Sequence, residues 1–490
     1  MGPQSGSSIK AGKADISAMI GSFTGLSSDS RSVRPGFLFA ALPGVKADGA
    51  AFVKDAVSRG ATAVLGRPGI EAEVAALGAR FIASDNPRQT LARFAAAFYG
   101  AQPQIVAAVT GTKGKSSIVA FLREIWTANG VAAASLGTVG VVAPGGEIPL
   151  KHTTPDPVEI HGLLARLKKE GVDHLAIEAS SHGLDQYRLD GVEIAAAGFT
   201  NITRDHMDYH KTFEDYLAAK LRLFTEVVHE GGVAVINMDA EHASRFRDAA
   251  AVRKLKIITV GAGEQTIALV SRQSRGETQD LVIAYAGHTY KVTLPLAGAF
   301  QASNALVAAG LAIGLGEDAA KVFVSLAHLR GAPGRLEKVA FAASGAPIYV
   351  DYAHTPDSLE KVLLALRPHV SGKLHVVFGC GGDRNKGKRP LMGAATARYA
   401  DNVIVTDDNP RSEDAAAIRK EVLAGAPGAR EIGDRAEAIN EGVKALGAGD
   451  VLVIAGKGHE TGQIIGKETR PFSDRAEAVK AAIAAGGRAA

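Results

Sequence analysis

Cysteine is nearly absent: a single residue, Cys380, in 490. That excludes an internal disulfide framework and any cysteine-rich zinc site, and it fits a reducing compartment. Cys380 itself, in a Gly-rich turn, reads as a small core residue rather than a reactive thiol. An excess of one charge is lacking too. The 55 Lys and Arg against 51 Asp and Glu leave a formal charge of +4. With no dense basic block and no interleaved aromatic stripe, nucleic acid is not an expected partner. No apolar run approaches the roughly 20 residues that span a bilayer, so no membrane insertion is expected. The opening MGPQSGSSIKAGK has no continuous apolar stretch, and Gly6 stands where a myristoylation signal needs Ser or Thr. Neither secretion nor a lipid anchor is expected, and a cytoplasmic location is.

What is present is an ordinary globular composition, 46% hydrophobic and 22% charged, over a length that suits about three domains. Short β-rich runs (GVAVIN, LKIITV, APIYVDY, KLHVVFG, DNVIVTDD, DVLVIAG) alternate with Ala/Leu-rich helical stretches. That alternation implies an α/β fold of parallel sheets with helices on both faces. Gly/Pro punctuation at Gly100 to Pro103 and at Arg330 to Gly334 divides the chain into expected domains 1–102, 103–331 and 332–490.

Residues Ile105 to Ser117, IVAAVTGTKGKSS, read as a strand, a Gly-rich turn and a helix from near Ile118. This is the context of a phosphate-binding loop. Glycines let backbone N–H groups close around phosphate oxygens at a helix N-terminus. Lys115 is placed to neutralise the β- and γ-phosphates, and the Ser116 hydroxyl to help hold Mg²⁺. The spacing G-x-x-x-x-G-K-[ST] fails because Val109 occupies the first Gly position; the shorter T-G-T-x-G-K-[ST] stands at Thr110 to Ser116. Downstream, HLAIEASSHGL puts Glu178 at the C-terminal end of a strand, the edge where open α/β sheets bind ligands. One Glu plus the phosphates of ATP suffices for a first Mg²⁺. The segment FTNITRDHMDYH places Asn201, Asp205 and His206 after another strand; by itself His206 reads as a structural histidine. In DYLAAKLRLF, Lys220 by itself reads as a solvated residue of an amphipathic helix.

The short phosphate turn resembles that of the Mur ligases and their relatives the folylpolyglutamate synthetases, and motifs similar to theirs follow in order across nearly the whole chain. The resemblance implies three domains: an N-terminal UDP-binding α/β domain, a central P-loop ATPase domain and a C-terminal Rossmann-like domain. It implies an ATP site of Gly111, Thr112, Lys113, Gly114, Lys115, Ser116 and Ser117, with Asn304, Arg335, Asp351 and His354. Relatives usually carry Asn at 113 and Thr at 116 and 117. An exposed Asn in an Ala/Leu-rich helix costs about half a kcal/mol relative to Ala, which favours a binding role for Asn304. The implied catalytic set is Lys115, Glu178, His206 and Lys220. The implied Mg²⁺ ligands are Ser116, Glu178, His206 and Lys220 as a carbamyl-lysine.

The stretch His152 to Pro157 reads by default as a turn with Thr or Asp capping a helix. It is also similar to the motif with which ligases acting on UDP-muramoyl dipeptides hold their acceptor. The implied acceptor contacts are Thr153, Thr154, Ser180, Gln186 and Arg188, with Ser30 in the first domain, where Asp48-Gly49 also matches and Val45-Lys46 replaces a frequent His-Gln. Arg384, Lys386, Lys388 and Arg389 form an expected cationic cluster beside Gly379, Gly381 and Gly382, suited to an anion. Asp408, Asn409, Pro410 and Arg411 resemble the signature of ligases that add meso-diaminopimelate, whose distal carboxylate a guanidinium can bind in bidentate fashion. Gly456 and Glu460 match positions that hold the amino-acid head, as does Arg384 on the anion side. The same four letters at Asp85 to Arg88 read instead as a helix cap.

Together these imply ATP- and Mg²⁺-dependent joining of meso-2,6-diaminopimelate to the D-glutamate of UDP-N-acetylmuramoyl-L-alanyl-D-glutamate, through an acyl phosphate, by a monomer. The rival expectations are a folylpolyglutamate synthetase, a Mur ligase of another step, or an inactive nucleotide- or UDP-sugar-binding regulator.

Overall fold

The computed structural model describes residues 13–44, 48–204 and 209–490, with side chains from Ile16 onward. The chain divides into two compact units, Met1–Lys115 with Trp126–Ile258, and Ser116–Ile125 with Thr259–Ala490.

The first unit opens with a four-stranded parallel sheet, β1 (Gly25–Ser27), β2 (Phe37–Ala40), β3 (Ala61–Gly66) and β4 (Arg80–Ala83), paired in chain order. Leu38, Leu65 and Ile82 pack with Leu91 and Phe94 of the helix Pro87–Tyr99. Each such side chain taken from water contributes about 1.5–3 kcal/mol. Asn86 accepts the Gln89 N–H and Pro87 takes the first helical position, so the first copy of the four-letter motif opens a helix as expected, with Asn86 rather than Asp85 as the capping residue.

The parallel strands β5 (Ile105–Thr110), β6 (Ala133–Gly137), β9 (His174–Glu178), β10 (Ile194–Phe199) and β11 (Val228–Asn237) form the rest of this unit's framework, with β5 between β9 and β10. Antiparallel β7 (Gly140–Ala143) and β8 (Gly146–Ile148) extend it beyond β6. Val106, Ala108, Ile177, Ala197 and Phe199 are wholly buried, which is why these runs are continuously apolar.

After β12 (Lys256–Gly261), the second unit carries an antiparallel meander, β13 (Ile267–Arg275), β14 (Thr278–Tyr285) and β15 (His288–Leu294). Its last sheet contains β16 (Glu337–Phe341), β17 (Pro347–Asp351), β18 (Leu374–Phe378), β19 (Asn402–Val405), β20 (Arg430–Glu431), β21 (Val451–Ala455) and β24 (Arg488–Ala489), in the order β20-β19-β18-β21-β17-β16-β24. The pairs from β20 to β17 are parallel, and β16 and β24 are antiparallel. Separate apolar clusters cover its two faces. A hairpin of β22 (Gly462–Ile465) and β23 (Glu468–Pro471) stands apart from that sheet.

The six apolar runs are all strands. The all-parallel expectation is corrected by β7, β8, β13 to β16 and β24. β14 alternates buried and half-buried positions, and β13 carries exposed Arg272 and Arg275; a sheet wet on one face lacks the apolar runs that mark a strand. The helix expected near Ile118 begins at Lys115.

Candidate active site

β5 delivers the chain into the Gly-rich turn, where Gly111 has φ 148° and Gly114 φ 89°. A Cβ on Gly111 would lie 2.0 Å from Thr200 Oγ1, so only glycine fits. The turn is tied to the segment after β10. Thr112 N–H donates to Asn201 O (2.8 Å), Lys113 N–H to Asn201 Oδ1 (3.0 Å), and Thr200 O–H to Lys113 O (2.6 Å). Lys113 thus enters through its backbone while its side chain is exposed.

Lys115 Nζ donates to Gly111 O (2.9 Å) and Thr112 O (3.1 Å). Lys220, on the helix Phe213–Arg222, is only 1% exposed, which corrects the solvated reading of that residue. Its Nζ donates to the same Gly111 O (2.8 Å) and lies 4.6 Å over the Tyr216 ring. The two ammonium groups are therefore within about 6 Å of one another, close enough to repel.

Glu178 ends β9, paired in register with Val109 of β5 just before the turn. Its carboxylate is buried, Oε1 accepting Thr138 N–H (2.8 Å) and Oε2 accepting Thr138 O–H (3.2 Å). Thr138 escaped the sequence reading, because LGTVG carries no charge or metal-ligand spacing to mark it. The acceptor segment converges here: Thr153 Oγ1 lies 3.0 Å from Thr138 Oγ1, and Thr154 O–H donates to Glu178 O (2.9 Å) while accepting Ser180 N–H (3.1 Å). Arg188 donates to Thr154 O (2.6 Å) and Gln186 Oε1 (2.8 Å), and burial lowers its pKa. Asp156, not Thr, caps the helix Pro157–Lys169, and Ser180 caps Ser181–Asp185. Ser30 is buried beside Asp55, with which its side chain hydrogen-bonds.

The donor set suits a triphosphate with a hard cation. A glycine cradle that a Cβ would fill, a lysine on its rim, and a buried carboxylate on the adjoining strand are what Mg²⁺ and phosphate oxygens require. Ser116 and Ser117 are buried at the start of the helix Lys115–Ala128. His206, Asp205 and Val45-Lys46 lie outside the described residues. Among the described residues, no group of three or more His, Cys, Asp or Glu could hold a metal ion.

In the second unit, Asn304 is 5% exposed, which corrects the expectation of an exposed side chain. It donates to Gln301 Oε1 (3.2 Å), and Gln301 donates to Arg335 O (3.3 Å). The Arg335 guanidinium lies 4.7 Å from the Tyr352 ring centre. Asp351 accepts the N–H groups of Leu336 and Ala353, both at 2.7 Å. His354 Nδ1 is 2.8 Å from Tyr352 O, and Lys388 donates to His354 O (2.9 Å). These residues therefore share one neighbourhood.

After β19, Asp408 to Arg411 pack against the β22–β23 hairpin. Arg411, at φ 51°, donates its N–H to Ile464 O (3.0 Å) and accepts Gly466 N–H (2.6 Å), while Nη1 donates to Gly382 O (2.8 Å). A Cβ on Gly382 would lie 1.9 Å from Pro410 O. Asn409 Nδ2 donates to Glu460 Oε2 (3.0 Å). Gly456, at φ 120°, brings the chain against Asp408 Oδ2. Lys457, which the sequence reading passed over, is completely buried between Asn409 and Glu460; a lysine in GKGHE after a strand was the available signal. The expected cationic cluster is corrected. Arg389 is buried and neutralised by Glu413 and Glu421, Lys386 pairs with Glu413, and Arg384 is exposed. Cys380 is buried beside Met392, its thiol pushed up to about 12 by burial.

Residues 22–99 match the Mur ligase family, catalytic domain; residues 109–312 the Mur ligase middle domain; and residues 334–458 the Mur ligase, glutamate ligase domain. The UDP-N-acetylmuramoyl-L-alanyl-D-glutamate--2,6-diaminopimelate ligase of Bradyrhizobium diazoefficiens is 56% identical, covering 94% of this chain and 95% of its own. That of Caulobacter vibrioides is 53% identical over 93% and 95%. A solved structure of a ligase of this same description superposes with a TM-score of 0.71 at 35% identity, over 94% and 95% of the two chains. The folylpolyglutamate synthase of Mycobacterium tuberculosis shares the fold at 20% identity, with a TM-score of 0.60 over 75% of this chain and 92% of its own.

Proposed function

The chain belongs to the Mur ligase family, with its three-domain α/β architecture, and from that premise we propose the reaction and the residues that perform it. The protein is an ATP-dependent amide-bond ligase of peptidoglycan synthesis that adds 2,6-diaminopimelate to UDP-N-acetylmuramoyl-L-alanyl-D-glutamate. The amine is taken as the meso form. The observation that carries the assignment of residues is the register of Val109 with Glu178, which sets a buried carboxylate on the strand beside the phosphate turn.

The D-glutamyl carboxylate attacks the γ-phosphorus of ATP, and ADP leaves. The amine of diaminopimelate then attacks the carbonyl carbon of the acyl phosphate; phosphate leaves, and the nitrogen loses a proton. No protein nucleophile is needed, so the chain's work is positioning and charge. Lys115 exchanges its two loop carbonyls for phosphate oxygens. Thr153, Thr154, Ser180, Gln186 and Arg188 hold the dipeptide, and Ser30 the uridine end. Asn304, Arg335, Asp351 and His354 serve the nucleotide. Glu460 takes the ammonium of the incoming amino acid, with Gly456, Asp408, Asn409 and Pro410 shaping its pocket. Arg411 takes the distal carboxylate, with Arg384 alongside. Ser116, Glu178, His206 and a carbamylated Lys220 would hold Mg²⁺, which when bound neutralises the phosphate oxygens. Carbamylation is supported by the burial of Lys220 and its closeness to Lys115, since it turns a repelling cation into an anionic oxygen donor.

No helix among the described residues is long and apolar enough to cross a membrane. We place the enzyme in the cytoplasm, where ATP is available, as a monomer. The test is phosphate release with ATP, Mg²⁺, the UDP-linked dipeptide and diaminopimelate. Release is expected only with all four, and release without the amine refutes the reading.

A further inference from the structure

Lys457 has no part in the reaction proposed for the chain, yet its side chain is completely buried, at 0% exposure. Removing an ammonium from water is costly unless it is paired and hydrogen-bonded. Its Nζ donates to Asn409 Oδ1 (2.9 Å) and Glu460 Oε2 (3.1 Å) and lies 3.5 Å from Asp408 Oδ1. Asn409 Oδ1 also accepts Ile464 N–H (2.9 Å), so two donors fix which way the amide faces. Nδ2 is thereby committed to Glu460 Oε2 (3.0 Å).

Two donors thus hold one oxygen of Glu460, while Oε1 takes no partner among the described residues and the side chain is 33% exposed. Asp408 adds a second carboxylate, 9% exposed. Without Lys457 the two carboxylates would keep only the more distant charge of Arg435, and Glu460 Oε2 would lose one of its two donors. With it, one carboxylate oxygen is presented and the other charge is offset.

We propose that Lys457 is the positioning residue for the amino-acid head of the incoming amine. It holds Asn409 in one orientation and Glu460 with Oε1 free for an α-ammonium, so the pocket takes a zwitterion. This rests on the ligase reading above.

The test compares wild type, Lys457→Gln and Asn409→Asp in steady-state phosphate release, varying diaminopimelate, ATP and the UDP-linked dipeptide in turn. Loss of hydrogen bonds to a charged group corresponds to roughly a 10- to 150-fold change. Both variants should raise the KM for diaminopimelate by that factor while the KM for ATP stays within about twofold. The rise in melting temperature produced by ATP with Mg²⁺ should persist. If Lys457→Gln does not fold, Asn409→Asp carries the test, because it removes the Nδ2 donor to Glu460. A joint rise of all three KM values would mean a merely structural lysine and overturn the proposal, as would unchanged values. A wild type that never turns over diaminopimelate refutes the ligase reading itself, a result distinct from either.

Discussion

Gly137→Ala tests the placement of Glu178 with one methyl group. The added Cβ would lie 2.1 Å from Glu178 Oε1 and 2.5 Å from both Cδ and Cγ. Ordinary contact for such an atom begins at 3.4 Å, so the carboxylate must retreat by more than 1 Å. Gly137 is not among the residues with positive φ, so alanine suits the backbone and the perturbation is confined to the neighbour. Retreat breaks the bonds from Thr138 N–H and O–H, and overpacking of this kind costs about 1–3 kcal/mol of stability. Misplacement of a reacting arrangement by about 1 Å costs on the order of 100-fold in rate. Phosphate release at saturating substrates should therefore fall about 100-fold, with a raised Mg²⁺ requirement, while a melt still gives one folded transition. Gly145→Ala is the control: its Cβ meets nothing nearer than Glu170 Oε2 at 3.8 Å, and activity should not change. A Gly137→Ala enzyme within about threefold of wild type would refute the role given to Glu178.

Lys115→Ala should abolish phosphate release, because it removes the ammonium held over the Gly111 and Thr112 carbonyls of the turn; normal turnover would remove the assigned phosphate site. Arg411→Lys keeps the charge but loses the planar fork, and should raise the KM for diaminopimelate at least about tenfold with kcat and the KM for ATP preserved, measured by varying each substrate. Burial lowers the His161 pKa to about 4, against an ordinary value of 6.5. Above pH 6.5 neither state is protonated; as pH falls toward 4 the unfolded chain binds a proton that the folded chain refuses. Urea denaturation should show up to about 3 kcal/mol lost across that window, and His161→Gln should flatten the loss.

The sequence made the strand–turn–helix of the phosphate site legible because only glycines can carry φ 148° against Thr200, and because β5 is buried on both faces. Glu178 was legible from its place at a strand end. Lys220 was assigned a role only through resemblance: its helix is amphipathic, but which polar residue turns inward depends on Tyr216 and Gly111, contacts made across more than 100 positions of chain for the latter. Thr138 and Lys457 were missed for the same reason, each acting through residues distant in sequence. The meander β13 to β15 hid because its wet face interrupts the apolar pattern. Arg389 looked like a ligand for anions because Glu413 and Glu421, which neutralise it, lie 24 and 32 residues away.

The most direct measurement of the central claim is a competition. Purified enzyme with ATP, Mg²⁺ and UDP-N-acetylmuramoyl-L-alanyl-D-glutamate is offered equal amounts of meso-diaminopimelate and lysine, and the products are weighed by mass spectrometry. The account predicts a UDP-linked tripeptide carrying diaminopimelate, formed in step with ADP. A product carrying lysine, or none while ATP is consumed, would contradict it.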